Sequence, residues 1–170
     1  MKILVTAASK HGATFEIARQ LGDTLMAGGF DVDVSRPEEV ENVAPYDGVV
    51  IGSAVYAGRW HEQARRLIDR ESTALKTRPV WLFSSGPLGD PPKPDDPIEG
   101  LGRLGEATHA IEHRVFAGKA DRKTLGFAER AIFAVVKAAE GDFRPWDAVA
   151  EWASEIAQTL EARRLEEAVP

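Results

Sequence analysis

The sequence contains no cysteine among its 170 residues. This absence excludes disulfides, thiolate nucleophiles, cysteine-ligated zinc and iron–sulfur clusters, so any redox chemistry must come from a bound cofactor. The sequence also lacks an apolar run near the ~20 residues that span a bilayer. Its N-terminal apolar run is too short for a signal peptide. These absences predict a cytoplasmic protein.

Basic residues are fewer than acidic ones. The sequence has 21 Lys and Arg and 27 Asp and Glu, which give a net charge of −6. This balance argues against a nucleic-acid partner. The charge is uneven, since 114–144 has seven basic and four acidic residues, giving +3 and leaving −9 on the rest. GxxxxGK(S/T) does not occur, which argues against nucleoside triphosphates. GxGxxG occurs at 100–105, "GLGRLG", and not in the loop between the first predicted strand and helix, which argues against the usual Rossmann-type NAD site.

Strand-like and helix-like segments alternate along the chain. Apolar or alternating runs predict five strands, at 2–7, 30–35, 46–55, 80–85 and 113–118. Helical periodicity predicts helices at 14–27, 61–75 and 146–160, and a Pro- and Gly-rich stretch predicts an exposed loop at 86–97. The length suits a single domain, 1–170. This alternation predicts an α/β fold with a five-stranded parallel sheet in the order 2-1-3-4-5.

In such a sheet, ligands bind at the carboxyl ends of the strands, near strands 1 and 3. The first loop there offers the hydroxyls of Ser9 and Thr14, the small Gly12 and a helix N-terminus that favours an anion. A phosphate monoester fits this loop. The alternative is a capping loop that binds nothing.

Three segments resemble the flavodoxin family. "SKHGAT" (9–14) is similar to the family's phosphate loop, with His11 in place of the central hydroxyl residue. "GSAVYAGRWH" (52–61) and "SSGPLG" (84–89) resemble the segments on the two sides of the isoalloxazine ring. The resemblance is closer to the flavodoxin-like, menaquinone-dependent protoporphyrinogen oxidases. It extends over "SxxGxTxEIA" (9–18), "YDxVVIG" (46–52) with Gly58 and His61, and "WxxVxxWAxEIA" (146–157).

This resemblance implies a flavodoxin-like three-layer sandwich that binds FMN noncovalently. The implied phosphate contacts are Ser9, Lys10, His11, Gly12, Ala13 and Thr14. The implied ring contacts are Ser53, Ala54, Val55, Tyr56, Ala57, Gly58, Ser84, Ser85, Gly86 and Pro87. The flavin would carry the chemistry, so no catalytic side chain and no metal are predicted.

The roles of three side chains near the implied ring stay open in the sequence. Tyr56 either stacks on the ring or is an exposed loop residue. Trp60 either shields the ring or packs on the next helix. His61 is interpreted as a helix cap or surface residue.

The segment 119–146 has apolar residues at helical spacing flanked by Arg and Lys. One interpretation is a basic amphipathic helix that contacts the inner membrane face, where menaquinone is met, or receives a propionate-bearing substrate. The other is a crossover helix packed on the sheet.

Three functions therefore compete. The first is an FMN enzyme that oxidises protoporphyrinogen IX, or a related reduced substrate, and reduces a quinone. The second is a flavodoxin-type electron carrier whose acidic surface docks basic partners. The third is an NAD(P)H- or deazaflavin-linked quinone reductase. The sequence does not indicate an oligomeric state.

Overall fold

The computed structural model describes residues 1–86, 97–120 and 141–167. The strands are β1 (Lys2–Ala8), β2 (Asp31–Ser35), β3 (Gly48–Tyr56), β4 (Arg59–Trp60), β5 (Val80–Ser85), β6 (Glu112–Phe116), β7 (Lys119–Ala120) and β8 (Gly141–Asp142). The helices are α1 (Ala13–Ala27), α2 (Glu62–Leu75), α3 (Leu101–Thr108) and α4 (Trp146–Glu167), with a 3-10 turn at Pro37–Glu39. Strands and helices alternate through most of this part of the chain, as the sequence predicts.

The central sheet has six strands. Five are parallel, in the order β2-β1-β3-β5-β6, and the short β4 pairs antiparallel with β3. The α/β class and the parallel sheet are confirmed, whereas the predicted count of five strands is wrong. The extra strand escapes sequence analysis because two residues are too few to show alternation. A separate two-stranded sheet joins β7 to β8.

Helices cover both faces of the sheet. On one face, α1 buries Ile17 and Leu21 and α4 buries Trp152 and Ile156 against the sheet. On the other face, side chains of α2 and α3 pack on the opposite sides of the same strands, as Leu67 does. The two apolar clusters produce the three-layer arrangement of this fold class.

Helix α3 is absent from the predicted elements. Two of its eight residues are the glycines Gly102 and Gly105, which lower helix propensity and hide the pattern. The predicted strand at 113–118 is shifted, since β6 covers Glu112–Phe116. Most of the predicted loop 86–97 and most of the segment 119–146 lie outside the described residues.

Candidate functional site

The carboxyl ends of β1, β3 and β5 lie side by side. Ala8 of β1 is opposite Ser53 of β3, and Ser53 is in turn opposite Ser84 of β5. The parallel register therefore brings the three predicted segments to one edge of the sheet. This is the edge where open α/β sheets bind their ligands.

The first segment joins β1 to α1. Ser9 and Thr14 are buried, and the Thr14 amide donates to Ser9 Oγ at 3.3 Å. Gly12 is the N-cap of α1 with φ +85°, a left-handed conformation that favours glycine. A Cβ at Gly12 would meet no atom within 4 Å, so open space adjoins the start of the helix. Lys10 is exposed, while His11 and Ala13 are half-buried.

A cation that the sequence analysis missed lies beside this segment. Arg36, just after β2, places Nη1 3.5 Å from the Ser9 carbonyl oxygen. Its guanidinium also lies 5.0 Å from the centroid of the Phe15 ring. Arg36 is half-buried, and its charge favours an anion at the start of α1. The pairing of β1 with β2 creates this proximity, which sequence spacing does not reveal.

The second segment is a hairpin rather than a loop. Strand β3 continues through Ser53, Ala54, Val55 and Tyr56, and Ala57 and Gly58 form the turn into β4. Both turn residues have positive φ, at 48° and 74°, as a type I′ turn requires. The sequence hides this turn because alanine replaces the usual Asn or Asp at its first position.

The hydroxyls of Ser53 and Ser84 hold this hairpin. Ser53 Oγ accepts the His61 amide at 2.8 Å, and Ser84 Oγ accepts the Trp60 indole N–H at 2.7 Å. Both serines are fully buried. Their side chains therefore fix the path of the chain, and contacts from these two residues to a cofactor stay a prediction.

His113 of β6 completes the hydrogen bonds of Ser84. Its Nε2 lies 2.8 Å from Ser84 Oγ. Burial lowers the pKa of His113, with Glu112 opposing that effect, so the imidazole is neutral near pH 7. Because the Trp60 indole is a donor only, Ser84 accepts from it and donates its own proton to the neutral imidazole. No local pattern in the sequence indicates a role for His113, because this contact joins distant parts of the chain.

The aromatic residues of the hairpin have different environments. Tyr56 is half-buried, with its ring centroid 6.1 Å from that of His61. Its stacking on a cofactor stays a prediction. Trp60 is 2% exposed and belongs to the apolar cluster under α2, which favours the packing role over the shielding role. His61 is the N-cap residue of α2, as the sequence suggested.

A second contact ties the hairpin to the chain that precedes α3. Arg59 donates from Nε and Nη2 to the two carboxylate oxygens of Glu99, each at 2.6 Å. The Glu99 amide also donates to the Gly58 carbonyl at 2.8 Å. This bidentate pair fixes the position of the turn from its outer side.

The third segment begins at the end of β5. Ser85 is buried, and Gly86 follows it in a close approach to β3. A Cβ at Gly86 would lie 3.3 Å from the Val55 carbonyl oxygen, so glycine suits this contact between the second and third segments. Pro87 lies outside the described residues.

Two other features bear on the class of site. Within residues 1–86, 97–120 and 141–167, no cluster of His, Asp and Glu side chains suits a metal ion. In the same ranges, no helix is long and apolar enough to cross a membrane.

Comparisons with known proteins place the chain among flavodoxin domains. The Flavodoxin domain family matches residues 4–145. Protoporphyrinogen IX dehydrogenase [quinone] of Escherichia coli K12 is 30% identical over 86 residues, which cover 49% of this chain and 48% of that protein. An uncharacterized protein of Methanocaldococcus jannaschii is 31% identical over 86 residues, covering 50% of this chain and 54% of that protein. The chain thus matches about half the length of these curated relatives.

The fold agrees with this match. A flavodoxin from the domain Archaea superposes with a TM-score of 0.67 and 13% identity, covering 95% of this chain and 99% of that chain. At such low identity the superposition supports a shared fold and no further similarity.

The family match indicates FMN as the cofactor. The structure fits this group at its phosphate end. The N-terminus of α1 opens onto free space beside Gly12, and the Arg36 guanidinium lies close by. The residues that would hold the phosphate are those of 9–14, while the hairpin and Gly86 would border the ring.

Proposed function

Because the chain belongs to the Flavodoxin domain family, we propose that it is an FMN-dependent oxidoreductase that oxidises protoporphyrinogen IX, or a related reduced organic substrate, with a quinone as acceptor. Such a reaction belongs to haem biosynthesis. The observation that carries this proposal is the 30% identity over 86 residues to protoporphyrinogen IX dehydrogenase [quinone].

The chain's own contribution is to bind and to orient. FMN, when bound, supplies hydride and electron transfer. The start of α1 and Arg36 favour the dianionic phosphate. The hairpin is fixed by Ser53, Ser84 and Glu99, so its backbone groups are held rigidly where they would border the ring. A rigid polar border tunes a flavin without a separate acid or base.

The segment 119–146 is proposed to meet the quinone, the substrate or a membrane surface. Lys119 is exposed at its start, and Trp146 is 38% exposed at its end. A basic residue and an aromatic residue are the side chains that favour the surface of an anionic membrane. Residues 121–140, with four more Lys and Arg, lie outside the described part of the chain.

A flavodoxin-type electron carrier is the second candidate. Its support is the acidic edge of the sheet, where Asp31, Glu38, Glu39 and Glu41 are exposed on and after β2. Such a surface docks basic redox partners, and the attraction weakens as salt increases.

An anaerobic assay separates the two candidates. Protein loaded with FMN is mixed with protoporphyrinogen IX and a menaquinone analogue, and the fluorescence of protoporphyrin IX is followed. The enzyme is expected to produce porphyrin at a rate proportional to protein and dependent on the quinone. No turnover, together with salt-sensitive electron transfer to a basic redox protein, would instead identify a carrier.

A charge variant tests the role of the segment. Replacing Arg122, Lys123, Arg130 and Lys137 with Gln is expected to lower quinone-coupled oxidation and leave FMN binding unchanged. The matched control replaces four exposed arginines elsewhere, namely Arg66, Arg103, Arg163 and Arg164. Equal turnover in both variants would contradict a role for the segment.

A further inference from the structure

Arg144 is a buried cation next to the phosphate end of the candidate site. Its side chain is 3% exposed. Nε and Nη2 donate to the two oxygens of Asp142, at 2.8 and 2.6 Å. Nη1 donates to the Glu16 carboxylate at 2.6 Å and to the Ala13 carbonyl at 3.1 Å. The guanidinium also lies 4.4 Å from the Trp146 ring centroid. Through Nη1, Arg144 therefore binds two oxygen atoms in the first turn of α1.

The part of the chain that carries Arg144 is a short stem. Strands β7 and β8 pair Lys119 with Asp142 and Ala120 with Gly141. The Phe143 amide then donates to the Gly118 carbonyl at 3.1 Å. This stem, residues 118–120 and 141–144, brings together the two ends of the segment 119–146. Arg144 anchors it to α1.

The stem also contacts the third segment of the site. A Cβ at Gly118 would lie 3.2 Å from Gly86 Cα, so the two glycine backbones are in close contact. Gly86 in turn packs on Val55 of the hairpin strand. One stem thus contacts the third segment through Gly118 and the first through Arg144.

Electrostatics gives Arg144 a second effect at the start of α1. Hydrogen bonding to Arg144 holds the pKa of Asp142 below its usual range, so this carboxylate is charged. Glu16 lies in the first turn of α1, where a phosphate would bind. Without Arg144, both carboxylates would lose their guanidinium partner, and their negative charges near the first turn of α1 would repel a phosphate dianion.

We propose that Arg144 is a positioning residue for the FMN phosphate. By holding the Ala13 carbonyl and the Glu16 carboxylate, it fixes the first turn of α1 and offsets the nearby negative charge. The affinity for the phosphate then depends on Arg144 holding the stem against α1. This inference rests on FMN as the cofactor and is independent of the substrate proposed above.

The test compares FMN with riboflavin, which has the same ring and no phosphate. Dissociation constants are measured by flavin fluorescence quenching for the parent chain, Arg144→Gln and Arg144→Lys. Arg114→Gln is the matched control, because Arg114 also pairs with two carboxylates, Glu112 and Glu155, and lies over a tryptophan, Trp152.

Arg144→Gln is expected to weaken FMN binding about tenfold, or about 1.4 kcal/mol, and to leave riboflavin binding within about twofold. Arg144→Lys should fall between the parent and the glutamine variant, since lysine keeps the charge and loses the bidentate geometry. Arg114→Gln should leave the ratio of the two constants unchanged. Equal weakening of FMN and riboflavin by Arg144→Gln, or no change in either, would overturn the proposal.

Amide hydrogen exchange gives a second measurement on the cofactor-free chain. Arg144→Gln should speed exchange in residues 10–16, and Arg114→Gln should not. Unchanged exchange there would contradict the positioning role. If Arg144→Gln does not fold, Arg144→Lys takes its place, with smaller effects in the same directions. A parent chain that binds FMN but does not oxidise protoporphyrinogen IX would contradict the proposed reaction and leave this inference unaffected.

Discussion

Ser53 of β3 lies directly opposite Ser84 of β5, and the hydroxyls of both residues hold the hairpin that follows β3. Ser53 Oγ accepts the backbone of His61, and Ser84 Oγ accepts the side chain of Trp60. Two serines at the carboxyl ends of neighbouring strands thus determine where Tyr56 and the turn lie. The shape of the candidate ring site depends on buried hydroxyls.

Ser84→Ala tests this dependence. The change removes the partner of the buried Trp60 indole and of His113 Nε2. Leaving such groups unpaired is expected to lower the free energy of unfolding by about 2 kcal/mol, measured by urea denaturation. Ser154→Ala is the control, because its exposed hydroxyl donates only to its own helix. A Ser84→Ala variant as stable as the control would show that the network contributes nothing.

Stability should also depend on His113 through pH. Burial lowers the pKa of His113 in the folded chain below 6.5, so near pH 6 the unfolded chain binds this proton to a greater extent than the folded chain does. The stability from this group is present above about pH 6.5 and is lost as the pH falls. Urea denaturation from pH 5 to 8 should show a smaller loss for His113→Gln than for the parent.

His109→Asn is the control for the histidine experiment. His109 is exposed at the C-terminus of α3 with φ 52°, a conformation that asparagine tolerates. This variant should keep the parent's dependence on pH. If His113→Gln lost as much stability at low pH as the parent, other groups would account for the effect.

Ala13→Asp should move stability and FMN affinity in opposite directions. Ala13 is the first residue of α1, where a carboxylate stabilises the helix by about 0.3–1 kcal/mol through the macrodipole. The same charge repels a phosphate. We expect at least about tenfold weaker FMN binding, equivalent to 1.4 kcal/mol, with riboflavin binding retained.

Ala13→Asn has nearly the same shape and no charge, so it should bind FMN more tightly than Ala13→Asp. The measurements are thermal unfolding and fluorescence quenching. Unchanged FMN affinity in the aspartate variant would locate the phosphate elsewhere.

The repeating parts of the fold were predictable from local sequence. The buried run at 2–7 and the spacing of Ile17, Leu21 and Leu25 express the periods of a strand and a helix. The strand order predicts the position of the candidate site, because parallel strands expose their carboxyl ends at one edge of the sheet. Helix α3 escaped detection because its glycines dilute the periodic signal.

Most contacts of the candidate site could not be predicted in the same way. His113 meets Ser84 from 29 residues away, and Arg144 meets Ala13 from 131 residues away. These pairings depend on strand register and on the docking of the stem, which no local pattern specifies. The sequence shows residue types that suit a phosphate site. The fold is needed to show that side chains such as Ser53 and Ser84 hold the hairpin in place.

Gly52→Ala tests the packing beneath the site. A Cβ at Gly52 would lie 2.1 Å from Cζ of Phe83, whose ring packs against Trp152 with the centroids 6.2 Å apart. Overpacking of this kind is expected to lower the free energy of unfolding by about 1–3 kcal/mol, measured in urea. Gly102→Ala is the control of opposite sign, because its Cβ meets nothing within 4 Å and alanine favours α3 by about 0.5–1 kcal/mol. Adding Phe83→Leu to Gly52→Ala should recover part of the loss, since it relieves the clash. If Gly52→Ala alone matched the parent, β3 and β5 would accommodate a methyl group at the point where the site begins.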